Sequence, residues 1–376
     1  MSQTAARITK VEAIPLRFPF RTPFKIAQGA ARPSAEIFVV RLHTDAGVQG
    51  VGETQAWRRQ GSSETLQSLC ATVQDHFTPL LLGRSPFDIA AIMPALEDAV
   101  YHSLYAQAAI SDALYDLQGK LLGVPAHMLL GGRCRESLEA CAVLTIKPTP
   151  EETVQGALAY RERGFRAFTI KVGVDAGADV NNVRELRRQL GDDAILRVDA
   201  NAGMDYCGSL ALLQRLAPFG IDAAEQLLPV WDLEGMADLA RHSPVPLMAD
   251  ESVATGHDLM EVIRRRAASI VQTKIAKNGG IWGGRPLWQI AAAAGLRIYP
   301  GNHPSTSIAT AAALHLAAAW QGPLLEGAFA VGLLNLADDI VEQPLQLQGA
   351  HMAVPQGPGL GVTLDENQVA KYRVEP

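Results

Sequence analysis

Two periodicities divide the chain. Over residues 8–20 and 36–53 apolar and polar residues alternate in short runs, the period-2 pattern of strands. The second stretch, AEIFVVRLHTDAGVQGVGE, contains Asp45-Ala46-Gly47 between alternating apolar residues, which predicts a hairpin. Helical spacing then takes over, in SSETLQSLCATVQDHFTPLL and in LYAQAAISDALYDLQGKLLG. Strands followed by a block of helices predict an α+β segment covering residues 1–125.

From residue 138 the pattern becomes regular. Eight short β-like runs, EACAVLTI, AFTIKVG, AILRVDAN, DAAEQLL, PLMADES, SIVQTKI, RIYPGNH and LLEGAF, alternate with pieces such as PEETVQGALAYRERG that are charged on one face. Eight β units alternating with helices are what a closed parallel barrel requires, and they predict an α/β barrel domain over 126–334. The Pro/Gly-rich tail, 335–376, is expected to pack back over the N-terminal segment.

Composition narrows the class. With 48% hydrophobic and 19% charged residues the chain can bury a large core. A net charge of −6 lacks the basic excess of a nucleic-acid binder and disfavours an anionic membrane surface. No signal-like or membrane-spanning apolar run is present, so a cytoplasmic location is expected. Cys70, Cys134, Cys141 and Cys207 lack CxxC spacing and are expected to be buried free thiols.

Candidate chemistry lies where the runs end. Lys171, Asp199, Glu225, Asp250, Lys274, His303 and Glu326 each close one run, spaced by roughly one βα unit. In a barrel they would surround one mouth, at the C-terminal ends of the strands, where barrel active sites sit. Asp199, Glu225 and Asp250 come from consecutive runs and would be neighbours. Three such carboxylates repel one another unless a cation joins them. With no His or Cys among them, hard oxygen donors favour Mg²⁺, with Mn²⁺ possible. Lys171 and Lys274 fall on opposite sides of the same mouth. Beside a dication and partly desolvated, their pKa values would be lowered, and either could exchange a proton with the carbon next to a metal-bound carboxylate.

The stretches RVDAN, AEQ at 224–226, MADES at 248–252 and KIAKNGG at 274–280, with GVQGVGE and the tail GPGLGVTLDE, carry a resemblance over nearly the whole chain. The sequence resembles the muconate-lactonizing subgroup of the enolase superfamily. That resemblance implies an α+β capping domain on a modified TIM barrel of (β/α)7β type. It implies one Mg²⁺ on Asp199, Glu225 and Asp250, and catalytic lysines at 171 and 274. Asn201 and Glu251 would support the metal ligands or contact substrate, and Glu326 matches a glutamate that lies in the site of the cycloisomerases. The subgroup often forms homo-oligomers, so an octamer or a dimer is expected.

Two positions depart from the subgroup. Its usual Lys-x-Lys reads Thr169-Ile170-Lys171 here, which removes a positive charge beside the substrate carboxylate. His303 is reminiscent of the mandelate racemase subgroup, yet Lys274 stands where its aspartate partner would be, so His303 is assigned to substrate contact. Trp57 and Trp282 are expected to pack rather than line the pocket, and specificity is expected from the loops around Phe24–Gln28 and Gly52–Arg59. The resemblance favours a muconate cycloisomerase-like reaction on a small carboxylate. The departures leave open a dehydratase of a cyclic hydroxy amino acid such as cis-3-hydroxy-L-proline, or a racemase or epimerase of an amino-acid derivative.

Overall fold

Strands β1 (Ile8–Phe24), β2 (Arg32–Thr44) and β3 (Gln49–Gln55) form an antiparallel sheet in sequential order. Gly47, at φ +75°, closes the turn between β2 and β3, a conformation that suits glycine. The computed structural model describes residues 5–26, 29–59, 62–147, 149–328 and 330–375. Ala27 and Gln28 of the expected specificity loop, and Phe329 of the eighth run, lie outside them. β4 (Trp57–Arg59) and β5 (Ser62–Glu64) make a short hairpin, so SSE begins as strand and the helix starts at Leu66. That helix runs to Leu81 with a wider π-type turn at Thr72–Phe77.

The long cap helix, Leu104–Leu122, lies directly on β3. The spacing in GVQGVGE explains how. A Cβ at Gly50 would lie 2.4 Å from the Ala113 carbonyl oxygen, and one at Gly52 only 2.0 Å from that of Ala109. Two glycines on one face of the strand let backbone meet backbone.

After β6 (Ser137–Glu139), seven parallel strands follow: β7 (Cys141–Leu144), β8 (Ala167–Lys171), β9 (Ile195–Asp199), β10 (Ala223–Glu225), β11 (Leu247–Ala249), β12 (Ile270–Lys274) and β13 (Arg297–Gly301). They lie side by side in chain order, as repeated βαβ crossovers dictate. The eighth run joins the two edges without forming a regular strand among the described residues. Leu325 N donates to Ile298 O of β13 at 2.8 Å, while Cys141 N of β7 donates to Ala328 O at 2.6 Å. The fold is a modified TIM barrel with an N-terminal cap. At Gly327 (φ +74°) a Cβ would come within 2.2 Å of the Ala167 Cβ, so the closing segment passes too close to β8 for a side chain.

The tail returns to β1. Phe20 bridges Leu336, Leu16 bridges Arg373, and the Phe18 and Tyr372 rings lie 4.1 Å apart. β15 (His351–Ala353) pairs with β14 (Leu347–Gln348) on one side and β6 on the other. Buried acids fasten cap to barrel. Glu53 accepts from Thr306 N at 2.9 Å, at the start of helix Ser307–Ala318, and Asp112 accepts from Ile281 N at 2.8 Å. Burial raises both carboxyls, Glu53 to about 7 and Asp112 to about 8. The four cysteines are free, as expected, but Cys134 and Cys207 are exposed rather than buried. No helix among the described residues is long and apolar enough to cross a membrane.

Candidate active site

Strand register, more than sequence distance, assembles the site. Lys171 is the last residue of β8 and lies beside Asp199, the last of β9, which lies beside Glu225, the last of β10. Asp250 follows β11 directly, and Lys274 ends β12. The three carboxylate strands therefore sit between the two lysine strands. All three acids are almost fully buried.

The ammonium groups occupy the carboxylates. Lys171 Nζ donates to Asp199 Oδ2 and, at 3.0 Å, to Asn201 Oδ1, and Lys274 Nζ donates to Asp250 Oδ2. Asn201 completes the link by donating from Nδ2 to Glu251 Oε1 at 3.1 Å. As they stand, no three His, Cys, Asp or Glu side chains among the described residues converge closely enough to cage an ion. The donor chemistry still suits a hard cation. Asp250 Oδ1 is buried without a hydrogen bond, with only the Lys277 ammonium 3.3 Å away, and Glu225 is driven well above the carboxylate range by burial and by the charges of Asp199 and Asp250.

Burial and charge compete at each group. Burial works to raise Asp250, but Lys274 and Lys277 outweigh it and hold the carboxyl low. Glu251 goes the other way, to about 8, through burial and the neighbouring Asp250 charge. Burial works to lower both lysines, yet Asp199 and Glu225 raise Lys171, and Asp250, Glu251 and Glu225 raise Lys274. The lowering expected of these lysines is reversed, because their immediate neighbours here are carboxylates.

A cavity, partly open to solvent, lies over these groups. Lys171, Asp199, Asn201, Glu225 and Lys274 line it, together with Thr169 and His303. The Thr169 hydroxyl lies 3.3 Å from Cys141 Sγ. Burial and then Lys274 push His303 well below the usual imidazole range, and its Nδ1 is buried without a hydrogen bond. Trp57 does not simply pack. It lines the cavity with its ring 4.7 Å from that of His303, because the β4–β5 hairpin leans over the barrel mouth. Trp282 does pack, against both cores.

Glu326 is not in the site. Its carboxylate is exposed and pairs with Arg166 at 3.1 Å, and Arg166 is the residue before β8 begins. The segment's register, fixed at Leu325 and Ala328, leaves Glu326 at the N-terminal end of the barrel. From the same segment Val331 reaches the cavity.

Residues 8–131 match the N-terminal domain of the mandelate racemase/muconate lactonizing enzyme family, and residues 152–368 match the enolase C-terminal domain-like family. The chain belongs to the enolase superfamily, in its muconate-lactonizing subgroup. This superfamily member is 36% identical to muconate cycloisomerase 1 of Rhodococcus opacus, over 98% of this chain and 99% of the relative. It is 30% identical to the N-succinyl-L-Arg/Lys racemase of Bacillus cereus, over 98% of each chain. Its fold matches the muconate lactonizing enzyme of Pseudomonas fluorescens, solved with muconolactone, at a TM-score of 0.93 and 32% identity, over 98% of this chain and 100% of that one. With such relatives the chain is an enzyme of the isomerase or lyase kind.

Two polar residues of this superfamily member escaped the sequence reading. Gln226, at φ +31°, accepts from Asp250 N (3.0 Å) and Ser252 N (3.2 Å) through Oε1 and so fixes the chain carrying Asp250. Lys277 donates to the carbonyls of Asp250, Val253 and Gln272. The available signal was adjacency, since AEQ and KIAKNGG place each beside a strand-end residue.

Proposed function

We propose that this enzyme acts on a small carboxylate through an enediolate, with Mg²⁺ (or Mn²⁺) held by Asp199, Glu225 and Asp250. The observation that carries the reading is the placement of Lys171 and Lys274 on strands flanking three buried carboxylates, with both lysines, Asp199 and Glu225 lining one cavity. When bound, the ion supplies positive charge to the substrate carboxylate, where charge builds in the enediolate. Lys171 and Lys274 hold and move the proton. A neutral Nζ takes the proton from the α-carbon, the electron pair passes into the carboxylate, and an ammonium returns a proton to carbon. Each lysine must first leave its aspartate, because the paired ammonium cannot act as a base. Thr169, Asn201 and His303 are assigned to substrate contact.

Cycloisomerisation of a muconate-like diacid is the leading reaction, supported by near full-length identity to muconate cycloisomerases. In it Lys171 exchanges the proton at the carbon beside the carboxylate. Racemisation or epimerisation of an amino-acid derivative is the second reading. The two lysines favour it, because they enter the cavity from strands on either side of the carboxylates and can exchange a proton through the enediolate. The test is incubation in D₂O with Mg²⁺ and cis,cis-muconate, cis-3-hydroxy-L-proline or N-acyl amino acids, followed by proton NMR. Lactone formation identifies the first reaction, loss of water a dehydratase, and α-deuteration without net change the second reading. If no acid in the panel changes or exchanges, the enediolate assignment falls.

A further inference from the structure

Strand β3 faces two ways. Gly50 and Gly52 lie against the long cap helix, so Glu53, on the alternate face, points into the seam with the barrel. There, fully buried, it holds the start of helix Ser307–Ala318. Oε1 accepts from Thr306 N at 2.9 Å, and Oε2 accepts from the Thr306 hydroxyl and from Ala309 N at 3.2 Å. The helix has other caps. Thr306 Oγ accepts from Ile308 N at 3.3 Å, and Asp339 of the tail accepts from Ser307 N at 3.0 Å and from the Ser307 hydroxyl at 2.7 Å. Just before Thr306 runs the segment that carries His303. Among the described residues no main-chain hydrogen bond holds His303, Pro304 or Ser305. Asn302 Oδ1 folds the segment on itself, accepting from His303 N at 2.9 Å and from Ser305 Oγ at 3.2 Å. Further contacts come from outside the barrel strands. The His303 ring lies 4.7 Å from that of Trp57 and 5.8 Å from that of Tyr105, both cap residues. A Cβ at Gly332 would lie 1.6 Å from the Ser305 carbonyl oxygen, so the tail backs directly on this segment.

We infer that Glu53 is a positioning residue of the active site, fixing through Thr306 where His303 stands in the cavity wall. Two oxygens bound to three donors of one helical turn leave the carboxylate a single orientation, so the separation of β3 and Thr306 is set. His303 is three residues from that anchor, and its Nδ1 is buried and unpartnered. A shift at Thr306 therefore passes to the imidazole, because no strand ladder absorbs it. The cap in this way sets part of the barrel's own wall. The consequence for turnover rests on the reading of His303 as a substrate contact; the placement of the ring does not.

The test uses the full chain with Mg²⁺ and the variant Glu53→Gln. Whichever way the new amide turns, its NH₂ faces a main-chain N–H of Thr306 or Ala309. Carbon–proton NMR of the histidine rings reads the position of His303, whose signal is assigned by its loss in His303→Gln and is displaced by the Trp57 and Tyr105 ring currents. Glu53→Gln should move that signal by several linewidths. It should also raise KM for cis,cis-muconate about tenfold with kcat within about twofold, as loss of one substrate contact made equally in ground and transition states requires. Asp112→Asn loosens the same seam at Ile281 and should leave the His303 signal in place. Thr306→Val, the second variant should the first not fold, removes the hydroxyl donor and should move the signal the same way, while Thr306→Ser keeps the donor and should not. A His303 signal unmoved in Glu53→Gln, or moved equally in Asp112→Asn, overturns the inference, as does a moved signal with unchanged KM. If no acid turns over, the enediolate reading has failed by itself, and the NMR signal still decides whether Glu53 places His303.

Discussion

Lys277→Met is the most direct test of how Asp250 is held. Lys277 is 5% exposed and its ammonium donates to the carbonyls of Asp250 at 2.7 Å, Val253 at 2.5 Å and Gln272 at 3.1 Å, with Asp250 Oδ1 3.3 Å away. Methionine keeps the length of the stem and loses every one of these contacts. Hydrogen bonds to a charged group contribute about 1.5–3 kcal/mol each, so three amount to roughly 4.5–9 kcal/mol before any offset. The offset is the desolvation of the ammonium, several kcal/mol per buried ion, which the variant no longer bears. Burial does hold the Lys277 pKa below its ordinary value, so that opposing contribution is present. The net loss should be about 3–5 kcal/mol, the range found when one member of a buried pair is removed. Against a typical total of about 5–15 kcal/mol this is a large fraction. Urea unfolding, followed by circular dichroism and tryptophan fluorescence with coincident transitions, measures it. A loss below about 1 kcal/mol refutes the reasoning, since it would mean that the three carbonyls find other partners and Asp250 needs no second buried cation besides Lys274.

Other outcomes follow from the same geometry. Lys171→Ala and Lys274→Ala should each lower α-proton exchange by about 10²–10⁴-fold, read by NMR in D₂O. Mg²⁺ at a hundred times its Kd should stabilise the protein by about 2.7 kcal/mol, and Glu225→Gln should remove most of that gain in urea melts. Burial holds the His315 imidazole down to about 4, so the folded state binds its proton later than the unfolded chain. Its contribution is therefore complete above about pH 6.5 and is lost as pH falls towards 4, at most about 3 kcal/mol. His315→Gln should flatten stability over that window in melts at a series of pH values. Glu326→Ala should leave turnover unchanged and shift stability by no more than about 1 kcal/mol, because its pair with Arg166 is exposed.

What the sequence made legible depended on repetition. A βα unit of nearly constant length carries Lys171, Asp199, Glu225, Asp250 and Lys274 to one level of the barrel, so counting alone brought them together. The same count failed at Glu326, because hydrogen bonds from Leu325 and Ala328 to the neighbouring strands set the level of the closing segment, and its polar residue falls at the opposite end. Strand periodicity held a further signal. Thr169 with Lys171, and Gln272 with Lys274, stand two residues apart on one strand, so both members of each pair face the same cavity. Gln226 and Lys277 gave no such signal, since a polar residue beside a strand end can face either way until the backbone turn is known. The cap was harder still. Phe24, Arg32, Gln55 and Trp57 meet only because a strand, a hairpin and the barrel mouth converge, and no spacing within the chain encodes that meeting. Yet Glu53 and Asp112 tie the cap's β3 and long helix to the barrel by buried hydrogen bonds, so the cap walls stand at a fixed height over the carboxylates. Substitutions at the cap-side cavity walls Phe24 or Trp57 should then alter which acid is accepted without moving either lysine. Chemistry and selectivity are physically separable in this fold, which is why the barrel motifs support the proposed half-reaction and are silent about the substrate.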